Sequence, residues 1–460
     1  MLETIRTLLE NSDGRYSPSG PTIGEIEALA AGIRERLSGR DVPAAEPVCL
    51  CLAERSHLLA ALLATLAGAP PVILPHALHP QVLAEVRDVR PFRLILADTA
   101  VEPPPGTTVI GLRECNPAGR LPEFVRAPDE AFLSLFTGGS TGKPRIWSKT
   151  PANLFGEALN LSRTFAVGAN DLILPTVPPQ HIYGLLFSVL LPFVAAARVL
   201  GRTCTFPQEI LTALEEERAT VLVGVPIHYR ALRTCGIGRH SLRFAFSSAA
   251  PLDAEDAAFF REQTGLAITE VYGSTETGGM AIRTSGGEHG SWEPFRCIDW
   301  KIRAGHLCVR SPFVSPDLPC DAEGFFLTAD RVAEDAGGRR FTLAGRADHV
   351  VKIAGKRVDL EEVGEKIRRI PGVRDAYVAA LPLKRARQVE IGALVVSDAP
   401  ARSLRAAVRS LDESSGRPRR LRIVDALPVL PNGKIDRQEV DRLLALPRQV
   451  RPGTPPGAEG

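Results

Sequence analysis

The sequence predicts an α/β protein: a large N-terminal domain of doubly wound parallel sheets with a small β-barrel-like part, then a small α+β C-terminal domain. Three observations carry that expectation. Short apolar runs alternate with stretches of helical spacing between residues 22 and 271, as buried parallel strands covered on both faces require. Past Gly290 the helical period disappears, and 292–345 reads as short strands separated by Gly and Pro, which suits an antiparallel barrel or sheet. After Asp348 a second alternation begins, with about 110 residues to build its own core. The expected domains are 1–347 (with 292–345 as its β-rich subdomain) and 348–446, followed by a disordered Pro- and Gly-rich tail at 447–460.

The elements follow in order. Thr22 with Glu25 is a capping-box signature, and Ile23, Ile26, Leu29, Ile33 and Leu37 recur at helical spacing. Next are predicted a strand near Val48 to Leu52, a helix through Leu58 to Leu66, a strand near Pro71 to Leu74, a helix near Gln81 to Val89 and a strand near Phe92 to Leu96. The rhythm resumes with a strand at 131–136, a helix from about Ala152, a strand near Leu172 to Thr176 and helices near 184–197 and 207–217. Strands are predicted near Thr220 to Gly224, Leu242 to Phe246 and Ala267 to Val271. Beyond Asp348 the expected order is a strand, a helix at 360–369, strands at 374–382 and 388–396, a helix at 402–411 and a strand at 420–424.

Composition excludes several classes. The 460 residues are 44% hydrophobic and 23% charged, which rules out wholesale disorder. Fifty-five basic against 53 acidic residues leave +2, no general attraction to nucleic acid or anionic membrane. The charge is uneven: residues 348–460 hold 22 Lys and Arg against 15 Asp and Glu, which fits either a surface that meets anionic ligands or a solvated face. The eight cysteines are scattered with no CxxC pair, against a disulfide scaffold or structural zinc site. The N-terminus lacks signal-peptide features. Of the two apolar stretches, one is broken by Gly68 and Pro70-Pro71, and the other spans 16 residues and contains Pro192. A cytoplasmic protein is expected.

The strand at 131–136 runs into Thr137-Gly138-Gly139-Ser140-Thr141-Gly142-Lys143-Pro144. Backbone N–H groups, hydroxyls and a cation in such a loop can surround phosphate oxygens. A Walker A loop needs one more residue between its glycines and a hydroxyl where Pro144 stands. Pro144 also disfavours helical backbone at Lys143, so the loop is not expected to run straight into a helix. Alone, the stretch fits an ordinary turn equally well.

Further strings follow. Val271-Tyr272-Gly273-Ser274-Thr275-Glu276-Thr277-Gly278 comes after a predicted strand, then Thr328-Ala329-Asp330 and Gly345-Arg346-Ala347-Asp348. Val350-Val351-Lys352 leads through Gly355-Lys356-Arg357, and Pro431-Asn432-Gly433-Lys434-Ile435-Asp436 lies near the end. In this order they resemble the adenylate-forming (AMP-binding) superfamily of acyl- and aryl-CoA ligases, luciferases and peptide-synthetase adenylation domains, over nearly the whole chain.

That resemblance implies ATP and magnesium as cofactors, an acyl-adenylate made from a carboxylic acid, and transfer of the acyl group to a phosphopantetheine thiol of CoA or an acyl carrier protein. By similarity Thr137, Ser140, Thr141, Gly142 and Lys143 hold the β- and γ-phosphates, Thr275 meets the α-phosphate and Glu276 is the magnesium ligand. Tyr272 and Gly273 face adenine, whose other wall is backbone at Ser248, Ala249 and Ala250. Asp330, helped by Arg346, takes the ribose hydroxyls, and Lys434 is the lysine of the adenylation step. The small domain is mobile about Asp348, withdrawing Lys434 and presenting the loop at Gly355 to a thiol tunnel, with Arg357 near the phosphates. Singly, Glu276, Asp330 and Lys434 could each be surface charges.

There are departures. Pro144-Arg145-Ile146 stands where Pro-Lys-Gly is usual, with Lys149 a little later, so which cation helps the loop is open. Ser247-Ser248-Ala249-Ala250-Pro251 is bulkier than the usual Gly-rich segment. Pro178-Pro179-Gln180-His181-Ile182-Tyr183-Gly184-Leu185 matches the segment where acid pocket and thiol tunnel meet; His181 would be a gate there, or a hydrogen-bonded core histidine. Tyr183, Gly184, Val225 and His228 would line the acid pocket. No aspartate in that segment can pair with a substrate ammonium, which disfavours amino acids and leaves an aromatic or medium-chain acid. A non-catalytic acyl-adenylate binder is the alternative, as is an enzyme that only adenylates for another acceptor; retention of Lys434 speaks against the binder.

Overall fold

The apolar runs of the N-terminal part form strands covered on both faces. The computed structural model describes residues 1–10, 12–38, 46–117, 119–137, 145–285, 290–335, 337–346, 350–353, 356–382, 389–411, 417–430 and 434–446. The chain divides into two compact units, Met1–Ala344 with Pro431–Lys434, and Gly345–Leu430 with Ile435–Gly460. The predicted hinge at Asp348 and the tail 447–460 lie outside the described residues.

In the first unit, β1 (Val48–Cys51), β2 (Val72–Leu74), β3 (Leu94–Ala97), β4 (Thr108–Gly111), β5 (Leu133–Thr137) and β6 (Arg145–Lys149) make a sheet of order β4-β3-β1-β2-β5-β6. All neighbours are parallel except β6, which runs antiparallel to β5 with Thr137 paired to Arg145. A strand directly after the phosphate-loop segment accords with Pro144 disfavouring a helix there. The second sheet, of order β13-β12-β11-β10-β9-β7-β8, contains β7 (Leu172–Pro175), β8 (Arg198–Val199), β9 (Val221–Gly224), β10 (Phe244–Ser247), β11 (Thr269–Ser274), β12 (Gly278–Thr284) and β13 (Glu293–Pro294). Here β12 and β13 form an antiparallel edge to a parallel sheet. Glu293 and Pro294, expected in the β-rich part, thus belong to the second sheet.

The helices of this unit are α1 (Leu2–Glu10), α2 (Ile23–Ser38), α3 (Arg55–Leu66), α4 (Pro80–Val89), α5 (Pro151–Phe165), α6 (Ile182–Leu185), α7 (Leu191–Val194), α8 (Pro207–Glu215), α9 (Pro226–Leu232) and α10 (Ala254–Thr264). The predicted cap on α2 forms: Thr22 N donates to Glu25 Oε2 at 2.8 Å and Glu25 N to Thr22 Oγ1 at 3.2 Å. Between α6 and α7, residues Leu186–Leu190 make a wholly buried π-helical turn. One apolar core joins β1 and β5 through α3, α5 and this turn to β9 and β10, so these helices are sandwiched between the two sheets. Separate clusters cover the outer faces, with α4 on the first sheet and α8, α9 and α10 on the second.

The β-rich part is a four-stranded sheet of β14 (Asp299–Arg303), β15 (His306–Arg310), β16 (Phe326–Glu334) and β17 (Phe341–Arg346), whose first three strands pair antiparallel. The second unit contains the hairpin β18 (Val350–Ile353) with β19 (Lys356–Asp359), and a sheet of β20 (Val373–Pro382), β21 (Val389–Ser397) and β22 (Arg420–Val424). On one face pack α11 (Leu360–Arg368) and α12 (Ala401–Arg409), through Val363, Ile367, Leu404 and Val408. On the other packs α13 (Arg437–Ala445), through Val440 and Leu444. Among the described residues no helix is long and apolar enough to cross a membrane.

Candidate active site

Several of the residues singled out from the sequence lie at or just past the carboxyl ends of parallel strands. Thr137 ends β5, Val225 follows β9, Ser248 follows β10, and Tyr272 lies on β11 with Thr275 and Glu276 just beyond its end. Helices α9 and α10 begin after β9 and β10, while β5 and β11 lead into antiparallel strands; the carboxyl ends of the strands are where open α/β sheets bind ligands.

The hairpin from β11 to β12 is braced from within. Ser274 N donates to Thr277 Oγ1 at 3.2 Å and Thr277 N to Ser274 Oγ at 3.2 Å, holding Thr275 and Glu276 at the turn. Thr275 is buried and Glu276 half-buried. The register shifts after Tyr272, and the backbone closes so tightly that a Cβ at Gly273 would lie 2.3 Å from Gly278 O. The Tyr272 ring has Trp292 at 5.3 Å and Phe341 at 5.9 Å between centroids. Beside it, Ser248 Oγ donates to Val271 O at 2.7 Å, tying the segment after β10 to β11. Ala249 there has φ 74°, a left-handed conformation that favours glycine. Ala249 and Ala250 are exposed.

Thr137 Oγ1 accepts from Trp147 Nε1 at 3.1 Å, across the strand pair. Ser140, Thr141, Gly142, Lys143, Asp348 and Gly355 lie outside the described residues, as does the side chain of Arg357 on β19. Asp330 is buried on β16, its N–H donating to Thr328 Oγ1 at 3.1 Å, and Arg346 ends β17. Lys434 is exposed and precedes Ile435, which bridges to Val429.

His181 stands at the N-cap of α6, and burial pushes its imidazole down to about 3, so it is neutral at pH 7. Gln180 Nε2 donates to Leu52 O at 2.9 Å, which pins this loop to the end of β1. Tyr183 packs on Phe187 (4.9 Å), Phe187 on Phe246 (5.1 Å) and Phe246 on Phe165 (4.7 Å), a chain of rings in the layer between the sheets. Val225 and His228 are buried at the start of α9, where His228 Nδ1 lies 2.7 Å from Thr176 Oγ1 and accepts from Val225 N at 3.3 Å. Burial pulls His228 down to about 4.

The structure adds buried polar groups around Glu276. Lys149, left open as a loop cation, ends β6 and turns inward: Nζ donates to Phe313 O at 3.1 Å and to Glu276 O at 3.4 Å. Glu157 on α5 accepts from Gly279 N at 2.6 Å. Burial lowers the lysine and raises the glutamate from their ordinary values. The sequence signal for Glu157 was its register, since it shares the apolar face of Leu154, Ala158 and Leu161.

The donor chemistry fits nucleotide and magnesium. Among the described residues no group of three His, Cys, Asp or Glu side chains could hold a metal by itself. Magnesium shared with phosphates needs only one or two carboxylates, and Glu276 supplies an oxygen donor of that kind.

Comparison with known proteins is consistent with this arrangement. A family model described as AMP-binding enzyme matches residues 21–316. A sulfoacetate–CoA ligase of Cupriavidus necator is 28% identical over 340 residues, covering 67% of this chain, which spans 66% of that protein's length. A salicyl-AMP ligase / salicyl-S-ArCP synthetase of Mycobacterium tuberculosis is 25% identical, covering 96% of this chain and 88% of that protein. The O-succinylbenzoate coenzyme A synthetase of Bacillus subtilis in complex with AMP superposes with TM-score 0.79 at 19% identity, covering 98% of this chain and 99% of that one.

Proposed function

This chain belongs to the AMP-binding enzyme family of adenylate-forming ligases, and we propose that it activates an aromatic or medium-chain carboxylic acid with ATP and passes the acyl group to the phosphopantetheine thiol of CoA or an acyl carrier protein. The observation that supports this reading is that Thr137 in the first sheet, and Val225, Ser248 and the Tyr272–Glu276 hairpin in the second, all lie at carboxyl ends of parallel strands in one unit.

In the first half-reaction the acid's carboxylate attacks the α-phosphorus and pyrophosphate departs. Both reactants are anionic, so the protein's part is positioning and charge stabilisation. Thr275 holds the α-phosphate, Glu276 holds magnesium, which would neutralise phosphate charge, and Tyr272 with the Ser248–Ala250 backbone takes adenine. Asp330 and Arg346 take the ribose, with Lys434 supplying the cation of the adenylation step. In the second half-reaction the thiol sulfur attacks the acyl carbon and AMP leaves, with His181 at the border of the acid site.

The apolar surroundings just past His181, where Tyr183 packs on Phe187, support an apolar acid. The absence of a carboxylate from Gln180 to Gly184 speaks against an amino acid. The relatives' names include both a CoA and a carrier-protein acceptor, so the deciding experiment is a pyrophosphate-release panel of benzoates, cinnamates and short to long fatty acids, each with CoA or carrier protein. One acid class should give ATP-dependent release and a thioester with one acceptor. A protein that binds ATP yet releases pyrophosphate with none of them would refute the proposal.

A further inference from the structure

Two buried charges close to the nucleotide-binding hairpin have no part in the reaction just described. Lys149 is 1% exposed and Glu157 3% exposed. Burying charges is expensive unless their hydrogen bonds are well placed, and both reach the same hairpin, Lys149 also donating to Phe313 O at 3.1 Å. Lys149 Nζ donates to Glu276 O at 3.4 Å, and the same carbonyl accepts from Ser315 N at 2.8 Å. On the far limb of the hairpin, Glu157 Oε1 accepts from Gly279 N at 2.6 Å. Gly278 has φ 69°, and a Cβ there would lie 2.6 Å from Glu157 Oε2, so the carboxylate rests directly against the turn.

The origin of the two side chains matters as much as their targets. Lys149 ends β6, where it pairs with Leu133 at the start of β5, and Glu157 lies on α5, which begins two residues later. The strand and helix that follow the phosphate-loop segment in sequence therefore grip the hairpin at Glu276 and at Gly279. A third tie, Asn153 Nδ2 donating to Pro312 O at 2.7 Å, holds the same helix to the chain beside Phe313 and Ser315.

We propose that Lys149 and Glu157 are positioning residues, which lock the Gly273–Gly279 hairpin to β6 and α5 and so hold Glu276 in place for the nucleotide. The proposal rests on the assignment of Glu276 to phosphate and magnesium made above. It predicts that nucleotide affinity depends on the two charges through backbone placement, separately from their effect on stability.

The test is isothermal titration of magnesium-ATP, with thermal melts, on wild type, Lys149→Met, Lys149→Arg, Lys149→Met/Glu157→Leu and Glu276→Gln. Lys149→Met leaves Glu157 an unmatched buried charge, so its melting temperature should fall and its Kd rise about tenfold. Lys149→Arg keeps a donor for the carbonyls and should stay within about threefold of wild type. The double variant removes both charges and should regain much of the stability, yet still bind about tenfold more weakly, because Glu276 O loses its lysine donor and keeps Ser315 N, while Gly279 N loses its carboxylate. A stable double variant with wild-type Kd would overturn the positioning role and leave the pair purely structural. Wild-type affinity and turnover in Glu276→Gln would instead overturn the assignment of Glu276 itself.

Discussion

Replacing Gly184 by alanine tests whether the proposed acid site is separable from the proposed nucleotide site. Gly184 lies in α6 directly against the preceding loop: an added Cβ would be 1.9 Å from Pro178 O, 2.8 Å from Pro178 C and 3.2 Å from Pro179 Cα. All three are backbone atoms, so no side chain can rotate aside, and helix and loop must separate by more than about 1 Å to reach ordinary packing distance. Overpacking of this kind costs about 1–3 kcal/mol, and an unyielding main-chain obstacle puts Gly184→Ala at the upper end. The loop that must move carries His181, and Gln180 anchors it to Leu52 O, so the displacement passes to the proposed acid site. A 1 Å misplacement near reacting groups costs about 100-fold. Acid-dependent pyrophosphate release should therefore lose about 100-fold in kcat/KM, while calorimetric ATP affinity stays within about twofold, because Ser248 and Tyr272 are held by β10 and β11. A kcat/KM within about threefold of wild type would refute the argument, and an equal loss of ATP affinity would show that the two sites are not separable.

Three other outcomes follow from the same geometry. Burial holds His228 down to about 4, below the about 6.5 of an unfolded chain, so its contribution is fully present above pH 6.5 and is lost as pH falls toward 4. The loss is about 2 kcal/mol at pH 5; His228→Gln keeps an acceptor for Val225 N and should flatten the urea midpoint between pH 7 and 5, whereas an unchanged slope rejects the assignment. Ala249 holds φ 74° at a cost of about 1 kcal/mol, so Ala249→Gly should raise stability by about 0.5 kcal/mol after the greater freedom of its unfolded chain; a lower melting temperature contradicts this. Lys434→Ala should abolish acid-dependent ATP–pyrophosphate exchange yet spare thioester formation from synthetic acyl-adenylate, and equal loss of both would contradict a role confined to adenylation.

Parallel strands were legible because both of their faces are buried, which writes them as uninterrupted apolar runs; Val48–Cys51, Leu133–Thr137 and Val221–Gly224 all fall within a residue or two of expectation. Elements stabilised by their partners were harder to read. The β6 sequence RIWSK carries one charge at each end and is a strand because it pairs with β5. Helix α10 buries few apolar side chains, and its boundaries lie in the Asp253 cap and the left-handed Gly265. Helix α9 has the same character: PIHYRAL is too short for a period, and Val225 and His228 cap it. Thr108–Gly111, an edge strand with one fully buried residue, has no apolar run to betray it.

The site followed a different rule. The residues proposed to touch substrate were visible because their chemistry recurs in short strings, while those that brace them are scattered along the chain: Lys149 and Glu157 reach Glu276 and Gly279 across more than a hundred residues. Nor does spelling reveal where glycine is required. The segment after β10 departs from a Gly-rich string, and Ala249 occupies left-handed backbone there, a strain that an exposed position can carry. Gly184 has no such latitude, since the obstacle is a neighbouring carbonyl and not its own backbone angle. Only close approach in three dimensions separates the two positions, so substitutions at them should differ in sign: Ala249→Gly gains stability and Gly184→Ala loses both stability and turnover.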